Sequence, residues 1–141
     1  MNRLLVEHKP PLPDFRVVVS FLWGGAHPVD TEGDCRWPAD RDWTELHVRS
    51  RTTNQVVDVL PADGRPGVLA IESEWPELVA RVALFLAIET GGAVSDEAGG
   101  RLDTARLSER TGSGFSIDEA SRRAQATRFR HATKEDPYPV R

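Results

Sequence analysis

Apolar and polar residues alternate most cleanly between positions 43 and 52. There Thr44, Leu46, Val48 and Ser50 face one way, and Glu45, His47, Arg49 and Arg51 face the other. A period of two with one apolar side predicts a half-buried antiparallel strand whose charged side meets water. Thr53-Asn54 supplies a hairpin turn into a second strand at 55–60, with Asp58 or Gln55 as cross-strand neighbour of the charged face. A turn at 61–66, bounded by Pro61 and Pro66, leads to a strand at 67–73. The period then changes to that of a helix. Leu78, Val79, Val82, Phe85 and Leu86 form an apolar stripe, Pro76 falls in the first turn behind Ser73 or Glu74, and Gly91 supplies a left-handed cap. A short strand at 93–95 follows, with 96–100 a turn and Arg101-Leu102 resuming the strand. A strand–helix–strand unit of this kind predicts a crossover that leaves its two strands parallel.

The flanks are less regular. Residues 15–23 (FRVVVSFLW) are apolar on both faces of a period of two, which predicts an interior strand. Before them, Pro10, Pro11 and Pro13 withhold amide donors, so residues 1–14 read as an extended arm. Between 24 and 42 no regular element is evident, and structureless connections longer than about 12–15 residues are uncommon. That loop is expected to be functional, packed by its own Val29 and Trp37, or mobile. Beyond Leu102, two helical turns at 103–110 and a glycine-rich break at 111–114 precede Ser116-Ile-Asp-Glu119. This is a capping box, predicting a helix over 117–133 whose apolar face (Ile117, Ala120, Ala124, Phe129) is thin. The expected fold is α+β: a mixed, mostly antiparallel sheet of about five strands, one central apolar helix packed on it, and a C-terminal helix. The organisation is an arm over 1–14, a domain over 15–110, and a helix and tail over 111–141.

Composition narrows the setting. An apolar share of 39% and a charged share of 28% over 141 residues fit a globular domain rather than a disordered chain. A single cysteine, Cys35, excludes an internal disulfide and points to a reducing, cytoplasmic compartment. No apolar run reaches the about 7–15 residues of a signal peptide at the N-terminus, or the about 20 of a membrane span. Basic residues are almost all arginine, with lysine only at 9 and 134, a usage that fits a GC-rich bacterial genome of actinobacterial type. The net charge of −4 is uneven: residues 116–141 carry six Arg/Lys against four Asp/Glu, leaving the remainder at −6.

Candidate chemistry is sparse. The 24–42 loop holds His27, Asp30, Glu32, Asp34 and Cys35, all of metal-ligand type. From Asp30, however, glycine falls at the wrong position for a calcium loop and Arg41 stands where its glutamate belongs, and one Cys with one His makes no zinc pair. No metal and no cofactor is expected. A Cys35 thiolate with His27 or His47 as base lacks any surrounding signature, and a lone cysteine is more often a small buried apolar residue. Phosphate-loop, dinucleotide and serine-hydrolase motifs are absent from the sequence. The arginines of the C-terminal helix (Arg122, Arg123, Arg128, Arg130) suggest phosphate contacts, but Asp118, Glu119, Glu135 and Asp136 flank them, which disfavours nucleic acid.

In layout, residues 43–102 resemble small immunity-type proteins of bacterial polymorphic toxin systems. The likeness lies in a meander, a helix ending Ala83-Leu-Phe-Leu-Ala87-Ile-Glu-Thr-Gly-Gly92, then a strand and Asp96. It implies a non-enzymatic protein that binds and blocks one protein partner, often through acidic surface. The candidate partner-binding residues are His27, Asp30, Asp34, Trp37, His47, Arg49 and Arg51. The alternative is a small-molecule-binding protein or enzyme with a pocket between sheet and helices, lined by His47, Arg49, Arg51 and Trp23.

Overall fold

The structure is a computed structural model that describes residues 1–140. Seven strands, β1 (Asn2–Glu7), β2 (Val29–Gly33), β3 (Leu46–Ser50), β4 (Val56–Pro61), β5 (Val68–Ser73), β6 (Val94–Asp96) and β7 (Arg101–Leu102), form one sheet. The helices are α1 (Phe15–Leu22), α2 (Pro76–Thr90), α3 (Thr104–Glu109) and α4 (Ile117–Ala126), followed by a 3₁₀ turn at Arg128–His131. The fold is α+β as expected, with seven strands rather than about five. Their order is β2-β3-β4-β5-β1-β6-β7.

The central hairpin matches its sequence pattern. Leu46, Val48 and Ser50 are buried, and they pair with Val59, Val57 and Val29 respectively. α2 is also as expected. Pro76 opens it, Ser73 Oγ accepts the Trp75 amide just ahead of it at 3.1 Å, and Gly91 ends it at φ 70°. It lies against β1 and β5, with eight consecutive or near-consecutive apolar residues from Leu78 to Leu86 buried.

Five expectations change. Residues 15–22 form a helix, not a strand. A short continuous apolar run has no decisive period, and Asp14 settles the matter by accepting the Arg16 amide at 2.9 Å as the N-cap. Val17 through Leu22 are then all buried, because α1 is enclosed by the sheet, α2 and α4. Residues 2–7 are not an arm but the strand between β5 and β6, antiparallel to both. This placement also corrects the parallel pair: β5 and β6 run in the same direction across the α2 crossover, but β1 lies between them, so every neighbouring pair is antiparallel. Finally, the 24–42 segment contains β2, and the C-terminal helix stops at Ala126. Its cap is as predicted, with Ser116 Oγ accepting the Glu119 amide at 3.2 Å.

The segment ahead of α1 is pinned from outside. Trp43, 1% exposed, donates its indole N–H to the Pro13 carbonyl at 2.9 Å, and Arg41 Nε donates to the Leu12 carbonyl at 2.8 Å. Across the helical layer Phe21 and Phe85 stack with centroids 4.6 Å apart.

Three substitutions test this packing. Phe85→Ala should cost about 3–5 kcal/mol in urea denaturation, through lost burial and a cavity against Phe21. Gly91→Ala should cost only about 1 kcal/mol, the strain of a left-handed cap with open space around it. Gly92→Ala should cost clearly more than its neighbour, because the new Cβ collides with the Glu7 carbonyl oxygen of β1. The reverse order of the two alanine midpoints would contradict the close approach.

Candidate functional site

Helices cover one face of the sheet only. On the other face, the strand registers align a row of ionisable side chains across five strands: Glu32 opposite His47, His47 opposite Asp58, Asp58 opposite Glu72, and Glu72 opposite Arg3. His47 Nδ1 lies 2.5 Å from Asp58 Oδ1, and Arg3 Nε lies 3.1 Å from Glu72. One register step away, Arg49 Nη2 lies 2.5 Å from Asp30 Oδ2 and Arg49 Nη1 donates a 3.2 Å bond to Asn54 Oδ1, while Arg51 Nε approaches Asp30 at 3.8 Å. Beside this polar field lies a small apolar cluster of Leu5, Ala62, Val68 and Ala70, with Leu60 exposed at its border.

His47, Arg49 and Arg51 therefore share one surface, as their alternation implied, and Asp30, expected in an irregular loop, joins them through β2. The Asp58 carboxylate orients the His47 ring, but among the described residues no hydroxyl or thiol bonds that imidazole. Nor is any group of three or more His, Cys, Asp or Glu arranged to hold a metal ion among the described residues.

The remaining expected residues are placed elsewhere. Asp34 is bound to its own hairpin: it accepts from the Thr44 amide (2.9 Å), the Glu45 amide (3.0 Å) and the Thr44 hydroxyl (2.7 Å). Burial opposes its ionisation, yet those bonds prevail and hold its carboxyl below the ordinary value. Trp37 is sandwiched between the Arg36 guanidinium at 4.4 Å and the Lys134 ammonium at 4.6 Å from its ring centroid. His27 stacks on Trp23 with centroids 5.0 Å apart, and its Nε2 lies 2.7 Å from Ser50 Oγ. Ser50 belongs to the buried face, so His27 and Trp23 stand on the helical side of the sheet. A pocket lined jointly by Trp23, His47, Arg49 and Arg51 does not form, because the sheet itself separates them.

The basic C-terminal region is likewise committed to structure. Arg123 donates to the carbonyls of Ser20 (3.0 Å) and Phe21 (2.7 Å), closing the C-terminal end of α1. Arg130 donates to the Ala124 carbonyl and pairs with Glu89 at 2.7 Å. Phe129 lies under the Arg16 guanidinium at 3.9 Å and near Arg128 at 5.0 Å. These contacts explain why the helix breaks at Thr127: the turn that follows carries Phe129 and Arg130 to their partners. They also consume cations that a nucleic-acid surface would present.

Sequence reasoning missed Arg3 and Glu72, because reaching them required the central position of β1. It also missed a cleft of about 620 Å³ at the C-terminal end of α2. Leu84, Ala87, Ile88, Val94, Leu102 and Leu107 floor it, and Arg101 and Arg106 stand at its rim. With the geometry in hand, no family model, curated protein or solved structure matches the chain.

Two titrations check these assignments. Burial, reinforced by the Asp40, Asp34 and Asp14 carboxylates, pushes the Cys35 thiol up to about 11. Iodoacetamide labelling of the folded chain should therefore be slow at pH 8 and accelerate toward pH 11; rapid labelling at pH 8 would contradict it. The Arg36 guanidinium hydrogen-bonded to Asp40 holds that carboxyl down at about 2, against an ordinary 3.8. A depressed folded value stabilises above the ordinary value and is lost as pH falls toward the folded one. Denaturation midpoints should thus fall between about pH 4 and pH 2, and Asp40→Asn should flatten that limb.

Proposed function

We propose that this chain acts by binding another protein on the uncovered face of its sheet, without catalysis of its own. The observation that carries the reading is the in-register polar row through Glu32, His47, Asp58, Glu72 and Arg3, flanked by Asp30–Arg49 and bordered by the Leu5 cluster. A preorganised mixture of both charge signs, with Leu60 exposed at its border, suits a specific protein interface in which charge placement selects the partner. The resemblance of residues 43–102 to immunity-type proteins adds a natural partner, a bacterial toxin that the chain would inhibit by occlusion. The acidic excess outside the C-terminal segment is in keeping with such a role.

The cleft at the end of α2 supports a second reading, a small-molecule-binding protein. Its volume falls in the range of ligand pockets, and the arginine rim over an apolar floor suits an amphipathic anion. Filling it with Ile88→Trp should abolish ligand binding on that reading and leave protein binding intact.

The main reading is tested with a tagged chain as bait in its native host. One stoichiometric protein partner is expected. Arg49→Glu and His47→Ala should each weaken that complex about tenfold or more, roughly 1.4 kcal/mol, with melting temperatures near that of the parent. A partner that binds both variants as tightly as the parent removes this face from the interface.

A further inference from the structure

We propose that the free edge of β2 takes up an extended segment of the partner protein as an added strand, seating one apolar side chain beneath β2 and placing basic side chains beside Glu32. This rests on the protein-binding reading and specifies how the partner is held.

The backbone of β2 leaves the edge open. At its two ends the Arg51 amide donates to the Pro28 carbonyl at 3.0 Å and the Asp34 amide donates to the Glu45 carbonyl at 3.2 Å. Bonded pairs recur at every second residue of an antiparallel ladder. Asp30 and Glu32 therefore spend their amides and carbonyls on β3, as do the Pro28 carbonyl and the Asp34 amide, and the amides and carbonyls of Val29, Thr31 and Gly33 point outward. Asp30 to Gly33 are all exposed, so none of the described residues covers this edge. The opposite edge of the sheet, β7, is only two residues long and offers no comparable template.

Beside β2 is a cavity of about 250 Å³ whose lining includes Phe15, Thr31, Glu32, Trp37 and Leu46. Thr31 pairs with the buried Val48, so its side chain takes the helical face, while Glu32, which also contributes to the cavity wall, pairs with His47 on the open face. An added strand alternates in the same way. Residues on its lower face meet the cavity, and residues on its upper face stand beside Asp30 and Glu32. Asp30 already holds Arg49 and Arg51, whereas the Glu32 carboxylate enters no ion pair among the described residues. A lysine or arginine of the incoming strand supplies one.

The same charges argue against a second copy of this chain as occupant. Antiparallel self-pairing through the outward residues sets Asp30 against Glu32, Asp30 against Asp30, or Glu32 against Glu32, depending on register. Like charges directly opposite destabilise a strand pair. The edge is thus guarded against itself and open to a basic strand.

The test uses the full chain, isotope-labelled, with the end-blocked hexapeptide Lys-Val-Lys-Leu-Lys-Val as probe and its Glu-for-Lys counterpart as control. Saturable binding of the basic peptide is expected, with new amide-exchange protection at Val29, Thr31 and Gly33 and shifted resonances at Phe15 and Leu46. Thr31→Pro removes an amide that makes no bond to β3, so it should leave the melting temperature unchanged and weaken binding at least tenfold. Glu32→Lys should reverse the preference toward the acidic peptide. A peptide N-methylated at alternate residues probes the same bonds without altering the protein, and should not bind. Absence of protection at millimolar basic peptide, or equal binding by Thr31→Pro and by the N-methylated probe, overturns the proposal. A native partner that tolerates Thr31→Pro but is lost with Arg49→Glu rejects the edge and keeps the sheet face.

Discussion

The architecture follows from a single asymmetry: helices protect one side of the sheet, and the other side must be stable in water. On the protected side every polar group needs a partner. Ser73 Oγ donates to the Val56 carbonyl at 2.5 Å, and Ser50 Oγ meets His27 and accepts the amides of Thr52 and Thr53. On the exposed side the same strands carry ions that would be untenable inside. Because side chains alternate strictly along a strand, this one division decides which residues can pack and which can recognise.

That alternation is also what made part of the molecule legible. The face shared by His47, Arg49 and Arg51, and Asp58 as a neighbour, follow from the period of two and a short hairpin. Pro76 and Gly91 mark α2 because each has a local conformational reason to stand where it does. The helix at 15–22 escaped because Val17, Val18 and Val19 favour strands locally, and burial on several sides overrode that preference. Asp14 ahead of the run was the available signal. β1 escaped for a different reason: Leu4, Leu5 and Val6 are too few to announce a strand, and their partners lie far along the chain.

Loop residues were the least readable. Asp34 and Trp37 have the chemistry of a binding site, yet both are absorbed by local contacts, one by hairpin amides and the other by flanking cations. Nothing in spacing distinguishes a carboxylate offered to a partner from one that closes its own turn. The arginines of the C-terminal region teach the same lesson. Arg123 terminates α1, and Arg130 reaches Glu89, so a basic composition conceals side chains already engaged within the fold.

The position of β1 sets the order in which the molecule can be completed. Its partners are residues 68–73 on one side and 94–96 on the other. Residues 2–7 therefore wait until residues 94–96 have been made before they are paired on both sides. Until residues 68–73 have been made the Leu4–Val6 segment has no strand to pair with, and until residues 94–96 follow, the other side of β1 stays open. The sheet thus closes only when synthesis has passed the α2 crossover, long after its interior strand β1 has been made.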